Sequence, residues 1–170
     1  VDTEAPGRSA ADDAFAITQQ IYNYCRAVDR LDDELGYSIW HGDGLADYGE
    51  AIFSGTGRGV IDFVIDSHRS LLGHSHQISN TIINLEGDRA ASESYVTAVL
   101  RFPDGEGVKQ LNLCGRYLDR WSYRDGRWAI DKRIYVHDFD DLRHVEAILY
   151  TGTSQRDPSD VSYAVLNRGS

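Results

Sequence analysis

The sequence predicts an α+β domain in which helices come first and an antiparallel sheet follows. Three observations carry that reading. Apolar residues recur with helical period from Ala14 to Leu31. After Gly73 the pattern changes to long alternating runs rich in Ile, Val, Thr and Tyr. Asp-Gly pairs at 104–105 and 125–126 separate those runs, the chemistry of tight hairpin turns. Helices followed by a meander of about four strands is an α+β order.

Each element has a local reason. Residues 1–10 read as a flexible arm with Pro6, Gly7 and Ser9. Ser9 or Asp12 is expected to cap helix one, and Asp12 and Asp13 suit its positive end. Ala14, Ile17, Ile21, Tyr24/Cys25 and Val28 form its buried stripe. A short helix is expected over Asp32 to Trp40, a turn over His41-Gly-Asp-Gly-Leu45, a short strand within Leu45 to Phe53 and a loop over residues 54–59. Gly59 to Leu72 reads as a third helix with Val60, Phe63, Val64, Ser67 and Leu71 on one side. Strands are expected over His76–Leu85, Ala90–Phe102, Lys109–Tyr123 and Trp128–His137. A short helix is possible over 139–150, from Leu142, Val145, Ile148 and Leu149. Residues 141–170 read as a tail, either a lid on the pocket or a subunit contact.

Composition bounds the function. The 170 residues suit one domain, spanning 11–140, able to bury roughly 70% of its unfolded surface without a disulfide or metal staple. The net charge is −10, from 17 Lys+Arg against 27 Asp+Glu, which repels phosphate backbones and anionic lipid. Nucleic acid and membranes are therefore not expected partners, and no apolar run reaches the ~18 residues of a membrane helix. Cys25 and Cys114 have no metal-ligand spacing and read as free thiols, so a reduced, cytoplasmic setting is expected. The first ten residues lack a basic and apolar leader pattern.

Three residues stand out as carriers of chemistry: Asp29 near the end of helix one, His76 on the first long strand and Arg133 on the last. Asp29 falls at the edge of the apolar stripe, one turn beyond Cys25, where a carboxylate is costly unless paired. A strand histidine facing the same interior could pair with it, and a carboxylate-held imidazole is a standard general base. The plainer alternative is an Asp29 that caps or pairs with a nearby Arg and a His76 that is only structural. Strand parity places Arg133, Tyr135 and His137 on one face, and His76, Ile78, Asn80 and Ile82 on another. A sheet face carrying His, Asn, Arg, Tyr and His is too polar for a plain core and suits an apolar pocket with a few convergent polar groups; the plainer alternative is a solvated sheet face. Tyr24, Tyr37, Trp40, Tyr48, Tyr95 and Tyr117 are further candidates for its lining. Tyr24 and Asp29 lie five residues apart, about 140° on a helix, so both reach one cavity only from opposite edges of the stripe. GTGRG lacks the surroundings of a dinucleotide fingerprint, and no P-loop or nucleophile elbow occurs. His74 and His76 share a strand face, but spacing offers no third metal ligand.

Three segments, IYNYCRAVDRLD (21–32), HSHQISN (74–80) and GRYLDRWSYRDGRWAIDKR (115–133), resemble the SnoaL-like branch of the nuclear transport factor 2-like superfamily. The likeness covers roughly residues 12–140. It implies a cone-shaped α+β barrel, a strongly curved antiparallel sheet wrapped by N-terminal helices around one deep pocket. Within the superfamily the motifs resemble those of cofactor-independent lyases: dehydrochlorinases, scytalone and bile-acid dehydratases, and formaldehyde lyases acting on lignin-derived aromatic dimers. The resemblance implies catalytic roles for Asp29, His76, Arg133 and Tyr24, and a place for Asn80 four residues after His76. Trp40, Tyr48, Tyr95 and Tyr117 are expected, with Tyr135 and His137, to bind substrate. No metal and no cofactor are expected. Tyr24 stands where the dehydrochlorinase pattern has Lys, which argues against a dehalogenase. The expected reaction is elimination of water or formaldehyde from a small aromatic or apolar substrate by an Asp29–His76 dyad, and isomerase or cyclase chemistry would use the same pair. The alternative is a non-catalytic ligand binder, or a structural subunit like the small subunit of aromatic-ring dioxygenases. A homo-oligomer, dimer or trimer, is expected in either case.

Overall fold

The computed structural model describes residues 8–146 and 152–166. Helix α1 (Ala10–Arg30) starts at Ser9, whose hydroxyl accepts from the Asp12 backbone N–H while the Asp12 carboxylate bonds back to the cap. This reciprocal box satisfies two of the donors that a helix start leaves open. Ile17, Ile21, Tyr24 and Val28 are then buried on one side, as the periodicity predicts. Each such apolar side chain is worth about 1.5–3 kcal/mol. Helix α2 (Asp33–Ser38) follows directly, capped by Asp32.

The expected turn at 41–45 is instead part of strand β1 (Trp40–Asp47), with a register break between Trp40 and Leu45. The expected loop at 54–59 holds strand β2 (Ser54–Thr56) and the start of α3 (Gly57–Arg69). Gly57 is required there, because a Cβ would lie 2.3 Å from the Trp40 ring. The buried side of α3 is Val60, Ile61, Val64, Ile65 and His68, while Phe63 is exposed. The stripe is thus rotated from the expected one and carries His68 inward.

Strands β3 (Gly73–Glu86), β4 (Arg89–Asp104), β5 (Gly107–Arg124) and β6 (Arg127–His144) form the antiparallel meander. The sheet order is β2-β1-β6-β5-β4-β3, and β1 lies parallel to β6. Helix α1 packs on β3 and β6, and α3 packs on β1. The Trp128 indole N–H ties β6 to α1 through Asp13 at 2.6 Å. Residues 139–144, expected to begin a helix, extend β6 beyond the expected domain boundary at 140. Most of the arm (1–7) and residues 147–150 lie outside the described residues.

Three bulges bend this sheet and switch which residues face inward. Register shifts lie between Ser79 and Ile82 on β3, and at Asp131 and Asp138 on β6. Asn80 takes φ 47° in the first of them. His76 and Ile78 face inward before that bulge; afterwards Ile82 is 59% exposed. On β6, Trp128 and Ile130 face the core before Asp131, and Arg133 and Tyr135 after it.

The described tail (152–166, with short helix α4 at Val161–Leu166) lies along α1 and α2 of its own chain. Tyr163 donates to Asp32 at 3.0 Å, Arg26 donates to Ser162 at 3.1 Å, and Arg30 donates to the Gln155 carbonyl. Among the described residues no helix is long and apolar enough to cross a membrane.

Candidate active site

The inner face of the sheet and the helices enclose a cavity of about 360 Å³, within the usual range for small-molecule sites. Val64, Val96, Ala98, Leu100 and Leu113 make most of it apolar. The polar groups that reach it come from α1, α3, β3 and β6, together with Tyr48 and Tyr117.

His76 and Asp29 meet. The imidazole Nδ1 lies 2.8 Å from one Asp29 oxygen, and the His76 backbone N–H donates to both carboxylate oxygens at 3.0 and 3.1 Å. Both side chains are mostly buried. An ionised carboxylate accepts only, so Nδ1 is the donor in this contact, and in the neutral imidazole Nε2 keeps its lone pair. Since His76 lines the cavity, that lone pair is available to a bound molecule.

Tyr24 and Tyr48 also meet, with hydroxyls 2.9 Å apart. One hydroxyl donates to the other, which leaves one O–H free for a ligand. Tyr117 packs edge-on against Tyr24 at 5.3 Å, and Tyr135 stacks on Tyr48 at 5.4 Å. Burial raises the pKa of Tyr24, Tyr48 and Tyr117, opposed by the charge of Arg133, so all three stay protonated donors near neutral pH.

Arg133 lies behind these rings. It is fully buried and forms a two-pronged ion pair with Asp119 at 2.7 and 2.8 Å. Its guanidinium sits 4.3 Å from the Tyr24 ring centre and 4.1 Å from that of Tyr117. It does not line the cavity, contrary to expectation, because the tyrosine rings stand between. Its charge is felt there through them.

Four other expected pocket residues lie elsewhere. Asn80 is exposed on the β3 bulge, which carries its side chain off the inner face. Tyr95 is on the outer face and 41% exposed, because its neighbours Ser94 and Val96 take the inward positions. Trp40 is buried in the core against Gly57, and Tyr37 bonds to Asp62 at the surface. Tyr135 and His137 do line the cavity.

Sequence reasoning missed two polar lining residues, His68 and Asp140. The His68 ring stacks on His76 with centres 5.4 Å apart, and its Nδ1 is 2.9 Å from the Ser67 hydroxyl. Its Nε2 is buried with no partner among the described residues. Burial, then the neighbouring imidazoles, pushes its pKa down to about 3, so it is neutral at pH 7. Its i+4 spacing from Val64 was the available signal. His74 bonds through Nε2 to the Val28 carbonyl at 3.0 Å, which ties β3 to α1. Among the described residues no group of three or more His, Cys, Asp or Glu side chains is placed to hold a metal ion.

The SnoaL-like domain model matches residues 9–134. No curated protein matches. Among solved structures, the hexachlorocyclohexane dehydrochlorinase LinA-type3 of Novosphingobium barchaimii LL02 is 16% identical with a TM-score of 0.67, covering 82% of this chain and 94% of its own. A scytalone dehydratase candidate from Novosphingobium aromaticivorans is 24% identical with a TM-score of 0.65, covering 84% and 95%. The Kfla4162 protein of Kribbella flavida is 15% identical with a TM-score of 0.71, covering 78% and 95%. At these identities the likeness establishes a shared fold. A protein from Nostoc punctiforme described as cystatin-like in fold, 21% identical with a TM-score of 0.58, covers 78% of this chain and 96% of its own.

Proposed function

The chain belongs to the SnoaL-like family, and from that premise we propose that it is a cofactor-independent lyase acting on a small, mainly apolar, aromatic substrate. The observation that carries this reading is the Asp29–His76 hydrogen bond at the wall of an apolar cavity. Structures of a dehydrochlorinase and of a scytalone dehydratase candidate share its fold and support the reaction class.

Asp29 holds the Nδ1 proton, so Nε2 of His76 is the base. In a dehydration, Nε2 takes a proton from carbon, the C–H electrons form the double bond, and hydroxide departs from the neighbouring carbon. The free O–H of the Tyr24–Tyr48 pair protonates it as water. In a formaldehyde elimination, Nε2 takes a hydroxyl proton and the O–H electrons form the aldehyde carbonyl. The C–C electrons form a double bond between the two remaining carbons and expel hydroxide from the second, which the free tyrosine O–H protonates as water. In both reactions negative charge grows on oxygen near the tyrosine pair. Arg133 favours that charge from behind the rings as a positioning residue. The lignin-derived dimer is the substrate subtype we favour, on the flavour of residues 74–80 and 133–140.

The test is incubation of EDTA-treated protein with aromatic β-hydroxy compounds and lignin-type dimers, with mass spectrometry for loss of water or formaldehyde. General-base catalysis is worth roughly 10²–10⁴-fold, so His76→Ala should lose that much. Equal turnover by both proteins would remove His76 from the reaction.

A further inference from the structure

The cavity has a second imidazole–carboxylate pair, at the far side of the sheet from His76. His137 Nε2 lies 3.1 Å from Asp140 Oδ2, and His137 Nδ1 lies 3.3 Å from the Tyr135 hydroxyl. All three side chains line the cavity. Residues three apart on a regular strand face opposite ways; here the bulge at Asp138 inserts the extra residue that brings both inward. Asp138 itself points out and is clamped by Arg116 at 3.0–3.3 Å. Gly115 leaves room for Tyr135, since a Cβ there would lie 2.8 Å from its hydroxyl.

The strand register places the two pairs. His76 is opposite Ala98, Ala98 is opposite Leu113, and Leu113 is opposite Asp140. One row across the inner face therefore starts at one pair, crosses two apolar residues and ends at the other. Three strand spacings separate its ends, about 14 Å measured around the sheet.

We propose that His137, Asp140 and Tyr135 form a distal recognition site for a hydroxyl group, and that the pocket takes an elongated aromatic molecule carrying an O–H at the end remote from His76. The hydrogen-bond polarity supports this. With Asp140 accepting from Nε2–H, Nδ1 accepts from the Tyr135 O–H. The groups left over, the second Asp140 oxygen and the Tyr135 oxygen, are acceptors. They match a phenolic O–H and do not match its methyl ether. The inference rests on the reading of this cavity as the substrate site, and is independent of which bond is broken there.

The probes are 4,4′-biphenol and 4,4′-dimethoxybiphenyl, which has no O–H at either end, titrated into the full chain by calorimetry. Neither has a leaving group, so the readout is recognition alone. The wild-type protein should prefer the diphenol roughly tenfold, the scale of one hydrogen bond to a charged acceptor. Asp140→Ala and His137→Phe should each lower that preference roughly tenfold while still binding the dimethyl ether. Both positions are half-exposed, and either variant carries the test should the other fail to fold. Absence of binding by the wild type, absence of preference, or a preference unchanged in a folded variant would overturn the inference. The elimination reading would still stand or fall on turnover and His76→Ala.

Discussion

Lowering the pH should destabilise this protein through His68 in particular, and the size of the effect follows from the site. The ring is 7% exposed, stacked on His76 and edge-on to His74 at 4.7 Å. The Arg156 guanidinium donates to its backbone carbonyl at 2.9 Å, a further cation close by. Its pKa of about 3 lies below the 6.5 of an exposed histidine. Between those values the unfolded chain binds a proton that the folded chain does not, so stability is full above pH 6.5 and is lost as pH falls. Each pH unit in that window is worth about 1.4 kcal/mol. From pH 6.5 to 4.5 the loss from His68 alone is therefore about 2–3 kcal/mol. His74, also lowered by burial, adds to it with the same sign. Urea unfolding at the two pH values measures the loss, and His68→Phe, which keeps a ring but cannot titrate, isolates the contribution. Carboxylates that titrate in the same window do so in both proteins. The expected result is a wild-type loss larger by about 2–3 kcal/mol than that of His68→Phe. Equal losses would refute the assignment of His68 as a buried neutral imidazole.

Asp119→Asn should destabilise by about 3–5 kcal/mol, read by urea unfolding, because it strands the buried Arg133 guanidinium without its counter-ion. Gly115→Ala should cost about 1–3 kcal/mol in the same assay, since the new Cβ would sit 2.5 Å from the Val136 carbonyl oxygen as well as against Tyr135. Tyr24→Phe should lower kcat by roughly 10²–10³-fold on any substrate the panel identifies, with a thermal melt close to wild type, because one hydroxyl donor is lost and the ring remains. Size-exclusion chromatography should show an oligomer. The outer face carries the row Ile82, Glu93, Leu118 and Ile134 with Tyr95 beside it, apolar at three of four positions, and Ile134→Lys should shift the peak toward monomer.

The helices and the meander were legible because their signals are local. Ser9 and Asp12 form a cap within one turn, Ile17 to Val28 repeat at helical period, and Asp125-Gly126 makes a hairpin. The Asp29–His76 contact was legible for a different reason: a carboxylate on an apolar edge needs a partner. Strand β1 was hidden because its Gly-rich stretch pairs in parallel with β6, more than eighty residues later in the chain. The bulges at Asn80, Asp131 and Asp138 have no signature in alternation, yet each reverses which parity faces inward. Uninterrupted alternation therefore puts Asn80 on the inner face and leaves Asp140 off it. Arg133 was assigned to the right face, but the depth at which it sits depends on Tyr24 and Tyr117 lying over it. His68 is hidden because a stripe through Phe63, which is 42% exposed, leaves it off the buried side of α3.

In the proposed reaction Asp29 and His76 act as one unit on the substrate. A double-mutant cycle on kcat/KM tests it, with Asp29→Asn, His76→Ala and the pair combined, under EDTA. Groups that work through one another are non-additive. Each single variant should lose roughly 10²–10⁴-fold, and the double variant no more than the worse single. Losses that multiply, or an Asp29→Asn protein as active as wild type, would show that the two side chains do not work as a pair.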